Sequence, residues 1–195
     1  MNALMLTEEV LIQNCIRHDR NAQKTLFEKF SGKMMTVCLR YINNKDDASV
    51  ILNTAFMKVF KSISQFKTDG SLEGWIKRIV INCAIDFIRA DKSYNRQIQL
   101  VADDYPDKET AALDEGDVDF LNTVSIDELL QLVNELSPVT KSVFNLFAID
   151  EFTHRQIGER LGISEGTSRW HVSEARKKLQ HRIRQRINRY NTYGN

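Results

Sequence analysis

The stretch Phe152–Leu179, FTHRQIGERLGISEGTSRWHVSEARKKL, decides the fold. Thr153 with Gln156 three residues on is a capping-box pattern, the reciprocal side-chain and backbone pairing that opens a helix. Ile157 and Leu161 stand four apart, on one inward face. Gly162 falls where a helix end needs a left-handed residue. Ile163 plugs the corner, and Ser164 caps a second helix with Thr167 in its first turn. Along that helix Val172, Ala175, Leu179 and Ile183 form one apolar stripe, and the small Ala175 permits a close helix crossing. At about 100° per residue the opposite face presents Trp170, Ser173, Glu174 and Lys177, flanked by Arg169 and Arg176. A second helix with a buried inner stripe and a polar outer face is what reading a DNA major groove requires. A plain αα-hairpin with a solvated face would carry the same caps and stripes.

Working outward, Ser137-Pro138 reads as a helix start, Ser at the N-cap and Pro at the first helical position. Val139, Val143, Leu146 and Phe147 give its inward face, and Ile126, Leu129, Leu130, Val133 and Leu136 that of the helix before it. Upstream, residues 93–123 lose the helical period, hold Pro106 and Gly116, and carry 8 Asp+Glu against 2 Lys+Arg. That composition reads as an extended, mobile, acidic linker. Before it the period returns. Leu26, Phe27, Phe30, Met34, Val37, Cys38 and Tyr41 form one stripe; Ile51, Leu52, Ala55, Phe56, Val59, Phe60 and Ile63 form the next, with Asp46 as N-cap. After a glycine-containing loop, Leu72, Trp75, Ile76, Ile79, Val80, Cys83 and Phe87 face inward on a helix from about Ser71 to Lys92. A shorter leading helix, Thr7–His18, completes a four-helix bundle. The expected fold is all-α: two small helical domains, 1–92 and 124–195, joined by the linker 93–123, the second ending in a helix-turn-helix.

Composition agrees and excludes much else. The chain has 195 residues with only 8 Gly and 2 Pro, too few for the many turns of an all-β sandwich. Three widely spaced cysteines, Cys15, Cys38 and Cys83, form no CxxC and no disulfide framework, which suits a reducing cytoplasm. No signal peptide or membrane-length apolar run is visible. The net charge of +1 hides a segregation: residues 1–92 hold 14 Lys+Arg against 10 Asp+Glu, and 124–195 hold 11 against 8. Two basic domains around an acidic strap suggest polyanion binding at two places. No Ser/His/Asp set, phosphate-cradling glycine loop or metal cluster is present, so neither catalysis nor a cofactor is expected. His154 and His171 lack partners at ligand spacing, and surface or DNA-backbone roles are expected of them.

Two motifs then carry a resemblance. The first is Phe66, Asp69-Gly70-Ser71-Leu72-Glu73-Gly74-Trp75-Ile76-Lys77-Arg78-Ile79, then Asn82, Ala84, Asp86 and Arg89. The second is Leu136-Ser137-Pro138 and Phe144, then Ile157, Leu161, Gly162-Ile163-Ser164, Gly166-Thr167 and Ala175-Arg176-Lys177-Lys178-Leu179. Together they resemble the extracytoplasmic-function sigma factors, the minimal two-domain members of the primary sigma superfamily of bacteria. The resemblance runs from about Cys15 to Ile183.

The resemblance implies a protein that recruits core RNA polymerase to promoter DNA, with an anti-sigma factor as a further partner. It implies that the first motif reads and melts the −10 element through Phe66, Lys77, Arg78, Asn82, Arg89 and Lys92. Phe66 would offer a stacking face and Lys77 and Asn82 hydrogen-bonding groups for an unstacked base. Arg78, Arg89 and Lys92 would serve phosphates. Lys77 stands where an aromatic is common. Asn82 and Asp86, four apart, could instead bond each other. Trp75 is expected in the core. The second motif implies −35 reading by Thr167, Arg169, Trp170, Ser173 and Glu174, with Arg155, Arg176 and Lys177 on phosphates. Glu174 replaces a common Arg; a carboxylate accepts from cytosine N4 but repels phosphate. The polymerase-binding helix would use Asp47, Ser49, Val50, Asn53 and Thr54, where the family's acidic and amide positions are replaced. The acidic linker would thread polymerase channels or simply tether. A stand-alone helix-turn-helix regulator is the alternative, but it leaves the Asn82, Asp86 and Arg89 pattern unexplained.

Overall fold

The computed structural model describes residues 7–67, 70–90 and 126–193. The expected acidic linker, and Lys92 with it, lie outside the described residues. The chain divides into two compact units, Met1–Ile88 and Arg89–Asn195, and every described regular element is helical.

In the first unit α1 (Glu8–Ile16), α2 (Arg20–Tyr41), α3 (Lys45–Ser62) and α4 (Leu72–Ala90) pack as a bundle. Thr7 caps α1 and Asp19 caps α2, each side chain accepting from a first-turn N–H. The cap of α3 is Asn44, not Asp46: its Oδ1 accepts from the N–H groups of Asp46 and Asp47 at 2.7 and 3.2 Å. Asp46 lies two residues further on, in the first turn, where its charge suits the positive helix end. Leu26, Phe30, Met34, Phe56 and Val59 fill the core as the spacing predicts. Burying each such side chain contributes roughly 1.5–3 kcal/mol. On α4 the predicted stripe is too narrow. Ile81, Ala84, Ile85 and Ile88 are buried as well, whereas Phe87 is exposed and Trp75 is half-buried. The helix is enclosed over a wide arc, which a single-stripe reading underestimates.

The second unit contains α5 (Ile126–Asn134), α6 (Pro138–Phe144), α7 (His154–Leu161) and α8 (Glu165–Tyr193). A single π-turn, Asn145–Ile149, continues α6. Leu132, Val133, Leu136, Ala175, Leu179 and Ile183 form one apolar cluster. Leu132 takes the inward place expected of Leu130, which is exposed. The capping box at Thr153 and Gln156 is complete. Gly162 is left-handed, φ 71° and ψ 36°, a conformation that costs any side chain-bearing residue strain. Its N–H reaches the Gly158 carbonyl at 2.8 Å and closes the turn. A Cβ on Gly158 would meet the Ile163 carbonyl oxygen at 2.7 Å, so the turn also depends on this close approach.

This core also holds polar groups that the periodicity did not predict. His171 is 1% exposed, its Nδ1 3.0 Å from Thr140 Oγ1. Ser137 donates to the same Thr140 oxygen at 2.9 Å instead of capping α6. Thr140 is thereby left to donate its own proton to His171. Burial pushes the His171 pKa down to about 4. The surface role expected of His171 is therefore corrected: it is a neutral core histidine. Lys141, also buried, donates to Asn134 Oδ1 at 3.1 Å, and burial lowers its pKa.

Candidate nucleic-acid interfaces

The first candidate is the outer face of α8. Ser164 Oγ accepts from the Thr167 N–H at 2.9 Å and starts this helix. Val172, Ala175, Leu179 and Ile183 are buried, so the helix is held in one rotation about its axis. That rotation leaves Arg169 and Lys177 exposed and Trp170, Ser173, Glu174 and Arg176 half-buried on the outer side, as the helical period predicts. Thr167 is the exception. It is 5% exposed and its hydroxyl pairs with Ser164 Oγ at 2.9 Å, so its side chain serves the turn and presents nothing to a ligand. Arg169 pairs with Glu165 at 3.1 Å and Glu174 with Lys178 at 3.1 Å. Both are i,i+4 surface pairs of small energetic weight, free to exchange for a phosphate. On α7, Arg155 is exposed and pairs with Glu159 at 3.2 Å.

Beside this face lies an arrangement that spacing did not predict. The Phe147 ring, from the π-turn, stacks on His154 with centroids 4.4 Å apart and planes 15° from parallel. The Arg176 guanidinium sits 5.8 Å from the Phe147 centroid. His154 Nδ1 lies 2.9 Å from Ser168 Oγ. The apolar period did mark Phe147, but only as a core position.

The second candidate is on α4. Arg78, Asn82, Asp86 and Arg89 are all exposed, and their spacing sets them along one side of the helix. Asn82 and Asp86 line a groove of about 590 Å³ with Ile79 and with Lys58, Lys61, Ser62 and Gln65 from the end of α3 and the short turn after it. Asp86 turns to Lys58, at 3.6 Å. The groove thus combines two lysines with three neutral hydrogen-bonding side chains, a donor-rich set for a base edge and its phosphate. Phe66 and Lys77 do not line it. Phe66 is half-buried against Trp75, ring centroids 5.6 Å apart, and Lys77 is half-buried on the preceding turn. Lys58, Lys61 and Gln65 went unpredicted because only the packing of α3 on α4 brings them to Asn82.

The positions expected to bind polymerase share the outer side of α3. Asn53 and Thr54 are exposed, Asp47 and Ser49 half-buried, and Val50 is 60% exposed. Met57, one turn on, is 73% exposed and extends an uncharged patch. Ser49 and Thr54 donate to the Lys45 and Val50 carbonyls, each at 2.8 Å, so their hydroxyls are partly spent on the helix. Among the described residues there is no metal-ligating cluster and no helix long and apolar enough to cross a membrane.

Fold and candidate interfaces together define a helical protein with a helix-turn-helix and, in each of its two units, a surface with exposed basic side chains. Residues 26–94 match the family description "Sigma-70 region 2" and residues 126–179 match "Sigma-70, region 4". The ECF RNA polymerase sigma-E factor of Haemophilus influenzae is 20% identical over 185 residues, covering 93% of this chain and 97% of that one. The ECF RNA polymerase sigma factor SigW of Bacillus subtilis is 25% identical over 194 residues, covering 90% and 98%. The solved structure of CnrH in complex with the cytosolic domain of CnrY overlays with a TM-score of 0.48 at 15% identity, covering 91% of this chain and 97% of that one. The chain belongs to the sigma-70 family of RNA polymerase sigma factors, in its extracytoplasmic-function branch.

Proposed function

We propose that this sigma factor recruits core RNA polymerase to a specific set of promoters by reading two DNA elements with its two units, and that it opens the duplex by binding energy alone, without catalysis. It works in the cytoplasm, where polymerase and promoter are, with an anti-sigma factor as a further partner. The unit boundaries that go with this reading are 1–92, 93–123 and 124–195.

The observation that carries the reading is the groove around Asn82, together with the outer face of α8. Lys58, Lys61, Arg78 and Arg89 supply phosphate contacts, and Asn82 and Gln65 supply hydrogen bonds that discriminate bases. Phe66 and Lys77 flank that surface, and Lys92, outside the described residues, is proposed as a further phosphate contact. On α8, Arg169, Trp170, Ser173 and Glu174 read the upstream element, with Arg155, Arg176 and Lys177 on the backbone. Asp47, Ser49, Val50, Asn53 and Thr54 meet the polymerase.

Transcription in vitro from a genomic library, with purified core polymerase, tests the reading. A discrete set of start sites that requires the added protein is expected. Repression of transcription driven by another sigma factor, with no start sites of its own, would favour a stand-alone regulator instead.

A further inference from the structure

The charged side chains acting on the His154 ring are all on α8: Arg169, Arg176 and Glu165. His154 opens α7, whose first-turn position in a helix-turn-helix lies where that helix crosses the DNA backbone. Its ring is clamped flat on Phe147, whose ring in turn lies 5.8 Å from the Arg176 guanidinium. Arg169 and Arg176 belong to one stripe of α8, seven residues apart, and Ser168 of the same helix holds His154 Nδ1 at 2.9 Å.

We infer that His154 and Arg176 form a phosphate-binding pair on the helix-turn-helix, beside the base-reading Arg169, and that His154 takes up a proton from solvent when the DNA backbone arrives. The inference rests on the proposed reading of duplex DNA by α8 and assigns that surface a contact that titrates.

The chemistry follows from the contacts. Ser168 engages Nδ1, which leaves Nε2 as the nitrogen available to a ligand. The Ser168 hydroxyl can donate to an unprotonated Nδ1 or accept from a protonated one, so the bond survives either charge state. The Phe147 face accommodates an imidazolium as readily as the guanidinium beside it. In the free protein the ring is kept neutral. Burial lowers its pKa most, Arg169 lowers it further, Glu165 opposes this, and Arg176 lowers it again. Arg155, next to it on α7, is paired with Glu159. A phosphate placed among these groups offsets the field of both arginines and accepts a hydrogen bond from Nε2–H. Both effects favour the charged ring. Binding then consumes a proton, and affinity must rise as pH falls.

The test is binding of the full-length chain to a generic duplex of about 30 base pairs, at low and constant ionic strength because phosphate contacts are salt-dependent. From about pH 6 to pH 8 the wild-type affinity should weaken at least roughly threefold, within the roughly hundredfold ceiling that one coupled proton sets over two pH units. His154→Gln keeps a hydrogen-bonding side chain that cannot charge, and it should show a clearly shallower dependence. His154→Lys, charged throughout, should bind tightly across the range. The His154 imidazole resonance in NMR should titrate at higher pH with duplex bound than without, a readout that a merely structural stack would not move. Identical pH slopes for wild type and His154→Gln, with an unshifted resonance, overturn the inference while leaving DNA reading by α8 intact. Duplex affinity unchanged in both Arg169→Ala and Arg176→Ala overturns that reading, and this inference with it.

Discussion

His171 shows how one side chain ties the fold of the second unit to pH. It is buried, its Nδ1 accepts a hydrogen bond from the Thr140 hydroxyl, and it stays neutral in the folded state with its pKa at about 4. Released on unfolding, it returns to about 6.5. The unfolded chain therefore binds more protons between those values, and the stabilisation from keeping His171 neutral is full above about pH 6.5 and lost as pH falls toward 4. The loss approaches about 1.4 kcal/mol per pH unit in that window, an upper bound for one group. Urea unfolding between pH 7 and 5, followed by Trp170 fluorescence in a Trp75→Phe background, should show this slope. His171→Leu should flatten it. At the outer face the same scale separates two kinds of contact. Trp170→Ala should reduce discrimination at the upstream element by about 1–3 kcal/mol per lost base contact. Lys177→Ala should weaken all sequences alike and lower the salt slope by about one. Competition assays with matched and scrambled elements distinguish the two. Equal loss of discrimination in both variants would mean that α8 presents a different side.

Among the elements, α3 carries uncharged residues at most of the positions that the family resemblance assigns to polymerase binding. Its inner stripe is intact, with Ile51, Leu52, Ala55, Phe56 and Val59 buried, so the helix is held by packing whatever its outer side carries. That outer side presents Val50, Asn53, Thr54 and Met57 to solvent without a charge. Asp47 is the one carboxylate among the five expected contact positions, so electrostatic steering toward a basic partner is weak. If this patch is the polymerase-binding surface, Ser49→Glu with Val50→Asp should strengthen binding to a typical bacterial core polymerase by about 1 kcal/mol or more. Competition against a typical sigma factor for one pool of core enzyme measures the gain. No gain, with wild type competing equally well, would place the interface elsewhere. The elements themselves were mostly legible as sequence, because their apolar periods and caps are local. Asn44 took the cap expected of Asp46 because an N-cap must precede the first helical N–H groups, and two capping-type residues two positions apart left the register ambiguous. Phe87 was misassigned because a stripe gives direction but not the width of what surrounds a helix.

For the whole molecule, the segregated charge has a consequence for DNA binding. Residues 93–123 carry 8 Asp+Glu against 2 Lys+Arg between two basic stretches, a charge that can shield those stretches from DNA. The free protein should therefore bind promoter duplex weakly at physiological salt. Core polymerase should convert this to tight, sequence-specific binding. Footprinting with and without core enzyme checks it, and a nanomolar footprint by the free protein would support a stand-alone regulator.

The sequence by itself determined the all-helical class, the helix-turn-helix with its capping box and left-handed Gly162, the outward face of α8, and the family. Each of these depends on residues near one another along the chain, where the helical period and backbone geometry act directly. Only the tertiary structure decided that Lys58, Lys61 and Gln65 share a groove with Asn82, that Thr167 and His171 turn inward, and that Phe147 carries His154 and Arg176 on its ring. These juxtapositions join residues far apart in the chain through side-chain packing between helices. A periodicity reports that a residue faces inward, but not which neighbour it will meet there.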